Sequence, residues 1–369
     1  VTEPLYMQIY RHLLDEIRQG RLKQGDRLPS EKELADTFDV SRITSKKALE
    51  MLANANLIER ERGRGSFVAR QPETLSSRAT AANAEGAGYR IGLVISDFGD
   101  VYGVEMLKSL AQHSAERNCS LTVKVTFGQN EIEQLTIEQL LQQGADGIIV
   151  MPVHGEFYNA KLLQMVLQEY PLVLIDRYLK GIPAYTVHTD NVAAAQELTE
   201  HLLKGERRCI AFLSPPYENT STIEDRMQGY RDALAYAHVA FDPDICFSDL
   251  TSTLPPVFEA EKTRRDIEAL CAHFERYPQI SGVVASEYNV ALLAREALRQ
   301  MGRYDGVQIA CFDYPHYSLR APLFTYIRQD ETAMAQTALD ILLKRLAKEP
   351  VALHHIVPHT LVEVESPSA

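Results

Sequence analysis

Cysteine is scarce and poorly placed for structural chemistry. The five residues, Cys119, Cys209, Cys246, Cys271 and Cys311, are odd in number, far apart and form no C-x-x-C pair. That argues against a disulfide framework or a zinc site and reads as buried thiols in a reducing compartment. Long apolar runs are also missing. No stretch approaches the roughly 20 residues of a membrane span, and the first residues lack the basic and then apolar pattern of a leader. The expected location is cytoplasmic, with no membrane partner.

Catalytic signatures are absent in the same way. There is no G-x-x-x-x-G-K-[ST], and Gly86-Ala87-Gly88 precedes its strand, the reverse of a dinucleotide fingerprint. Asp97-Phe98-Gly99 lacks every companion element of a kinase. No Ser or Cys sits in a nucleophile motif. His354, His355 and His359 fall on an alternating strand, where neighbours point opposite ways, so they read as core or surface residues and not as metal ligands. The chain is expected to be no enzyme, with no catalytic residue, cofactor or metal.

What is there begins with charge. The whole chain carries −12, but residues 1–70 hold 13 Lys and Arg against 11 Asp and Glu, a net of +2, and the remainder holds 25 against 39, a net of −14. Acidity thus belongs to the second part. In the first, Arg42, Lys46 and Lys47 are followed by Arg60, Arg62 and Arg64, a local phosphate-binding footprint. A charged run is more often a solvated face; here it coincides with a helix start and a turn.

Pro4 opens a helix in which Leu5, Ile9, Leu13 and Ile17 recur on one face up to Gln19, with Gly20 as the stop. Ser30 and Glu33 form a capping box for a second, short helix ending near Phe38. Ser41 caps a third, with Ser45, Ala48, Leu49 and Leu52 inward and Arg42, Lys46 and Lys47 outward. Arg42 can fork onto guanine, and Thr44 can touch a thymine methyl or a phosphate. Leu57 to Glu61 and Ser66 to Val68 flank the turn Arg62-Gly63-Arg64-Gly65, a two-stranded wing whose Arg64 suits a minor groove. The glycines also fit plain turn chemistry.

These blocks match P-L-Y-x-Q-I, G-x-x-L-P-S-E-x-x-L-A, S-R-x-T-x-x-x-A-L and G-x-G-[ST]-F-V across residues 4–68. The segment resembles the winged helix-turn-helix domain of the GntR family of bacterial transcription regulators. That resemblance implies DNA contact through Arg27, Glu31, Ser41, Arg42, Thr44, Lys46 and Gly65. Lys46 stands where the family usually has arginine and cannot make the bidentate fork. Ser45 replaces a usual apolar residue, an expectation of looser packing. Residues 71–88 are small and polar and read as a flexible tether, with a helical turn over Ala79–Glu85 the lesser alternative.

From residue 89 to 369, strand-like runs alternate with helical ones. Strands are expected at Arg90–Ser96, Ser120–Thr126, Gly147–Met151, Leu172–Asp176, Tyr185–Thr189, Arg208–Ser214, near Cys246, Gly282–Ala285 and Val307–Phe312. The pattern predicts two α/β lobes of parallel sheets flanked by helices. Ligands in such folds sit beyond the carboxyl ends of strands. The residues there are Asp97, Phe98, Tyr102, Asp176, Arg177, Asp190, Asn191, Glu287, Asp313 and Tyr314. Carboxylates, an arginine and aromatics suit a polyhydroxylated ligand. Asp190, Glu287 and Asp97, taken individually, lean toward being helix caps.

Ile91–Val94, Gly144–Ile149, Val173–Arg177, Val187–Asn191, Asp225–Tyr230, Gly282–Ala285 and Ile327–Asp330 resemble in order the sugar-binding core of LacI-type repressors and periplasmic sugar-binding proteins. The resemblance implies effector contacts at Asp97, Phe98, Asp176, Arg177, Arg226, Glu287 and Asp313, with Gln329 or Arg328 at the lobe crossover. Tyr102 joins them from its position. Glu287 stands where Asn or Asp is usual. Lobe 1 is expected at about 89–188 plus 316–347, and lobe 2 at about 189–315 plus 352–366. A GntR head on a LacI-type core is the plan of arabinose-responsive repressors of the AraR type. It implies a homodimer that binds an inverted-repeat operator and a small effector, a pentose or similar sugar. The alternatives are a nucleobase or nucleoside stacked on Phe98 and Tyr102, or a sugar-modifying enzyme with a regulatory head.

Overall fold

The computed structural model describes residues 5–18, 20–54, 57–61, 64–69, 88–155, 159–205, 207–255, 259–316, 318 and 321–364. The tether at 71–87, with its Ala79–Glu85 helical alternative, and the wing residues Arg62 and Gly63 lie outside the described residues.

The head contains α1 (Leu5–Arg18), α2 (Glu31–Phe38) and α3 (Arg42–Asn54), then an antiparallel pair, β1 (Ile58–Glu61) and β2 (Gly65–Val68), in register from Ile58 opposite Val68 to Glu61 opposite Gly65. The face that α1 buries is Ile9, Tyr10, Leu13 and Leu14; Leu5, expected inside, is 51% exposed. The capping box is complete, with Glu33 N donating to Ser30 Oγ at 3.2 Å and Ser30 N to Glu33 Oε2 at 2.7 Å. Ser45, Ala48, Leu49 and Leu52 are all buried. Ser45 is more than a loose apolar substitute: its hydroxyl donates to Glu31 O at 2.7 Å and ties the start of α2 to α3.

The core begins with β3 (Arg90–Ile95), α4 (Val104–Glu116), β4 (Ser120–Val125), α5 (Asn130–Gln142), β5 (Gly147–Val150), α6 (Ala160–Leu167), β6 (Leu172–Ile175) and β7 (Tyr185–Thr189). It continues through α7 (Asn191–Lys204), β8 (Ile210–Leu213), α8 (Ser221–Tyr236), α9 (Ala260–Arg276), β9 (Gly282–Ala285), α10 (Tyr288–Gln300) and β10 (Gln308–Phe312). It closes with β11 (Thr325–Gln329), α11 (Glu331–Leu346), β12 (His354–Val357) and β13 (His359–Val362). Six parallel strands in the order β12-β7-β6-β5-β3-β4 make the sheet of lobe 1. The sheet of lobe 2, β13-β11-β10-β9-β8, is parallel except where β13 pairs antiparallel with β11. Central strands such as Ile148–Val150 and Leu172–Ile175 are buried on both faces, as helix-covered parallel sheets require.

The expected lobe boundaries are corrected in two places. β11 lies beside β10 in lobe 2, so residues 325–329 leave lobe 1. α11 then carries the chain back, packing on α4 and lobe 1 strands, so β12 pairs with β7 in lobe 1 and only β13 reaches lobe 2. The strand expected near Cys246 does not form: a 3-10 turn at Pro243–Ile245 is followed by a single bridging residue, Phe247, beside Leu213.

One glycine sets the position of the later site. A Cβ on Gly229 of α8 would lie 2.0 Å from Val192 O of α7. Hydrogen there lets α7 and α8 make the most extensive helix contact in the core, which brings Arg226 against Asn191.

Candidate functional site

Loops at the carboxyl ends of β3, β5, β6, β9, β10 and β11 converge on a cleft of about 390 Å³ between the lobes. All nine residues expected at an effector site, Asp97, Phe98, Tyr102, Asp176, Arg177, Arg226, Glu287, Asp313 and Gln329, line it. Sequence reasoning missed Met151, His154, Thr222, Thr253 and Asn289. Met151 and His154 follow β5 and were open to the same rule of reading past each strand; Thr253 sits in a loop that carries no such signal.

Both guanidiniums are tethered within the cleft, although the buried Arg177 Nε has no hydrogen-bond partner among the described residues. Arg226, 6% exposed, donates from Nε to Asn191 Oδ1 at 2.8 Å and from Nη1 to Ser286 O at 2.6 Å, and stacks 3.8 Å from the Phe312 ring centroid. Arg177 donates to Pro152 O at 2.9 Å and pairs with Asp176 at 3.5 Å. Tyr102 donates its hydroxyl to Asp176 Oδ1 at 2.7 Å, and burial, helped by that carboxylate, pushes its pKa up.

Against these stand five carboxylates, Asp97, Asp100, Asp176, Glu287 and Asp313. Burial raises Asp313 to about 7, Arg226 opposing and Glu331 adding to the shift. Glu287 is raised chiefly by burial as well. It occupies the position preceding α10 but caps no amide, and its Oε1 has no hydrogen-bond partner among the described residues, so the simple capping alternative does not describe it. Gln329 Oε1 is likewise buried without a hydrogen-bond partner among the described residues. Asp190, by contrast, is a cap: it accepts from Ala193 N at 3.0 Å. Asp97 accepts from its neighbour Phe98 N at 2.8 Å.

The lobes meet across the cleft. His154 Nε2 donates to Pro216 O at 2.5 Å, and burial followed by the Arg177 charge lowers its pKa to about 4, so the ring is neutral. Tyr178 of lobe 1 donates to the Asp225 carboxylate of α8 at 2.8 and 3.0 Å.

In the head, α3, the start of α2 and the wing enclose a groove that Glu31, Arg42 and Gly65 help line. The Arg27 guanidinium crosses the wing tip so closely that a Cβ on Gly65 would lie 2.9 Å from its Nε, and Gly65 holds φ +122°. Glu31 is held by Arg60, and Arg64 by Glu61. Ser41 and Thr44 share their hydroxyls at 2.8 Å. Lys46 pairs with Glu50 at 3.6 Å. Lys47 is exposed on the outward face, as expected, with its ammonium 4.2 Å over the Tyr6 ring of α1. Among the described residues no group of His, Cys, Asp and Glu is arranged to hold a metal, and no helix is long and apolar enough to cross a membrane. His354 and His359 bond instead to Thr186 and Glu197.

Comparison with known proteins matches residues 91–350 to the periplasmic binding protein domain and residues 5–68 to bacterial regulatory proteins of the gntR family. The arabinose metabolism transcriptional repressor of Geobacillus stearothermophilus is 24% identical over 363 residues, 95% of this chain and 93% of that protein. The transcription regulator CcpA of Lactococcus lactis superposes with a TM-score of 0.65 at 18% identity, over 75% of this chain and 98% of that one. A CelR–cellobiose complex superposes with a TM-score of 0.63 at 19% identity, over 91% and 99% of the two chains. These relatives are transcriptional regulators rather than enzymes.

Proposed function

We propose, from the premise that this chain belongs to the periplasmic binding protein domain family and joins that core to a gntR-type DNA-binding head, that it is a dimeric repressor of a carbohydrate-use operon. An uncharged sugar entering the interlobe cleft releases it from an inverted-repeat operator. The head residues for DNA are Arg27, Glu31, Ser41, Arg42, Thr44, Lys46, Lys47, Arg64 and Gly65; Lys47 is exposed and also lies over the Tyr6 ring.

The observation that carries the effector reading is the charge balance of the cleft. Five carboxylates face two guanidiniums that are both bonded within the chain. A phosphate ester or sugar acid entering there meets more carboxylates than guanidiniums, and both guanidiniums already donate to carbonyl oxygens of the chain. Sugar hydroxyls donate to carboxylates, and the apolar rings of Phe98 and Tyr288 offer faces for the C–H side of a pyranose. The name of the Geobacillus relative makes L-arabinose the first sugar to test. Release requires that the sugar bind the two lobe arrangements unequally, and DNA must then weaken sugar binding by the same factor.

The test is thermal unfolding of the full chain against pentoses, hexoses, disaccharides, sugar phosphates and nucleosides. A ligand at 100 times its dissociation constant adds about 2.7 kcal/mol, a shift of several degrees. A neutral sugar is expected to stabilise and to release operator DNA at the same concentration. Stabilisation by a sugar phosphate or a nucleoside alone would overturn the effector reading.

A further inference from the structure

Ile43 is 80% exposed in the first turn of α3. It stands two residues before fully buried Ser45, about 200° round the helix, and so points away from the packed face formed by Ser45, Ala48, Leu49 and Leu52. Nothing in the fold calls for it there. A β-branched residue is a poorer helix former than alanine, and an exposed one gains no burial.

Its neighbours are occupied. Thr44 is bonded to Ser41 through both its amide and its hydroxyl, Lys46 is paired with Glu50, and Lys47 lies on Tyr6. Arg42 and Ile43 are left as outward side chains of the first turn with no hydrogen bond or ion pair of their side chains among the described residues. An arginine beside a bare apolar side chain, at the leading end of a helix that enters a major groove, matches two features of that groove. Arginine forks onto guanine, and apolar surface meets the thymine methyl.

Resting on the DNA-binding reading above, we propose that Ile43 reads a thymine C5-methyl in each operator half-site, the role the sequence suggested for Thr44, whose hydroxyl is instead bonded to that of Ser41, the cap of the helix. Ile43 is thus a specificity residue: it contributes a preference for T at one position and little to phosphate affinity.

The test uses a palindromic duplex enriched from a random library by the full chain. Each thymine of a half-site is replaced in turn, symmetrically, by deoxyuridine, which removes one methyl and leaves base pairing intact. With the wild-type protein, one position per half-site is expected to lose about fourfold in affinity for each methyl removed, the equivalent of burying one methylene. In Ile43→Ala that sensitivity disappears, the thymine duplex itself binds more weakly, and the salt dependence stays the same. Ile43→Val retains most of the sensitivity. The residue is exposed, so unfolding of both variants is expected to match the wild type.

Uniform tolerance of deoxyuridine by the wild type, or a sensitivity that persists in Ile43→Ala, overturns the proposal while leaving DNA binding intact. Failure to enrich any duplex overturns the DNA-binding reading itself, and this inference with it.

Discussion

Gln329 Nε2 donates to both carboxylate oxygens of Asp313, at 3.0 and 3.3 Å, joining the last residue of β11 to the residue after β10 inside the cleft. The pair is buried, and burial sets the pKa of Asp313 at about 7. A folded-state value above the unfolded one means that the native state holds the extra proton between about pH 4 and 7, so stability falls as pH rises through that window. Asp313→Asn removes the titration. Relative to wild type it should gain on the order of 2–4 kcal/mol between pH 4.5 and pH 8, read from urea unfolding at each pH. A pH-independent difference would show that Asp313 is not the titrating group.

The same direction of pH dependence is expected at His316, but there the proton stabilises a contact instead of relieving a buried charge. Glu331, with its side chain 1% exposed, accepts from Gly103 N at 2.8 Å, Met106 N at 3.1 Å and His316 Nε2 at 2.9 Å. The hydrogen bond to Glu331 raises the His316 pKa, with the charges of Glu331, Glu105 and Asp313 adding to it. That stabilisation is complete below the ordinary value of 6.5 and is lost as pH rises through the raised one. His316→Gln should therefore cost about 0.5–1 kcal/mol at pH 5.5 and little at pH 9.

Much of this was legible in the sequence because its signals are local. The Ser30–Glu33 box needs only three residues of spacing, and Asp176-Arg177 falls where a strand ends, so both could be placed before any fold was known. The exchange of β11 and β12 between lobes was not legible. His354–Val357 and His359–Val362 are two short strands of similar composition, and which sheet edge each joins is decided by where α11 docks. Helical spacing puts Lys47 outward, and it is exposed there; its contact with the Tyr6 ring of α1 was not legible, because α1 is distant in sequence. Thr253 reaches the cleft from a loop with no period at all.

At the wing tip, Gly65→Ala adds a methyl at φ +122°, a region that disfavours any side chain, and drives it toward Arg27 Nε at 2.9 Å. The expected loss is about 1–3 kcal/mol of head stability, with weaker operator binding. Adding Arg27→Ala should restore only the steric part. Full recovery in the double variant would mean that the backbone conformation contributes nothing.

The two halves should fail separately. Arg226→Ala leaves Asn191 Oδ1 and Ser286 O without their buried donor, which should destabilise the core by about 2–4 kcal/mol and abolish the sugar-induced thermal shift while operator affinity persists. Arg42→Ala should weaken operator binding tenfold or more and leave the sugar shift unchanged. If either change in a folded protein removes both activities, this division of labour is wrong.

Three crossovers join the lobes, and each is a single residue long: Asp190 between β7 and α7, Asp330 between β11 and α11, and Pro358 between β12 and β13. Asp190 and Asp330 also cap the helices they introduce, through Ala193 N and Ala333 N. There is no slack in such connections. A lobe movement cannot be absorbed by a loop and has to turn about the line of these three residues, with two helices attached rigidly to the pivot. Gln329, which touches the cleft's most perturbed carboxylate, is the neighbour of one of them. A ligand that draws on Gln329 therefore pulls beside the axle, where a small displacement becomes a large rotation at the far ends of both lobes.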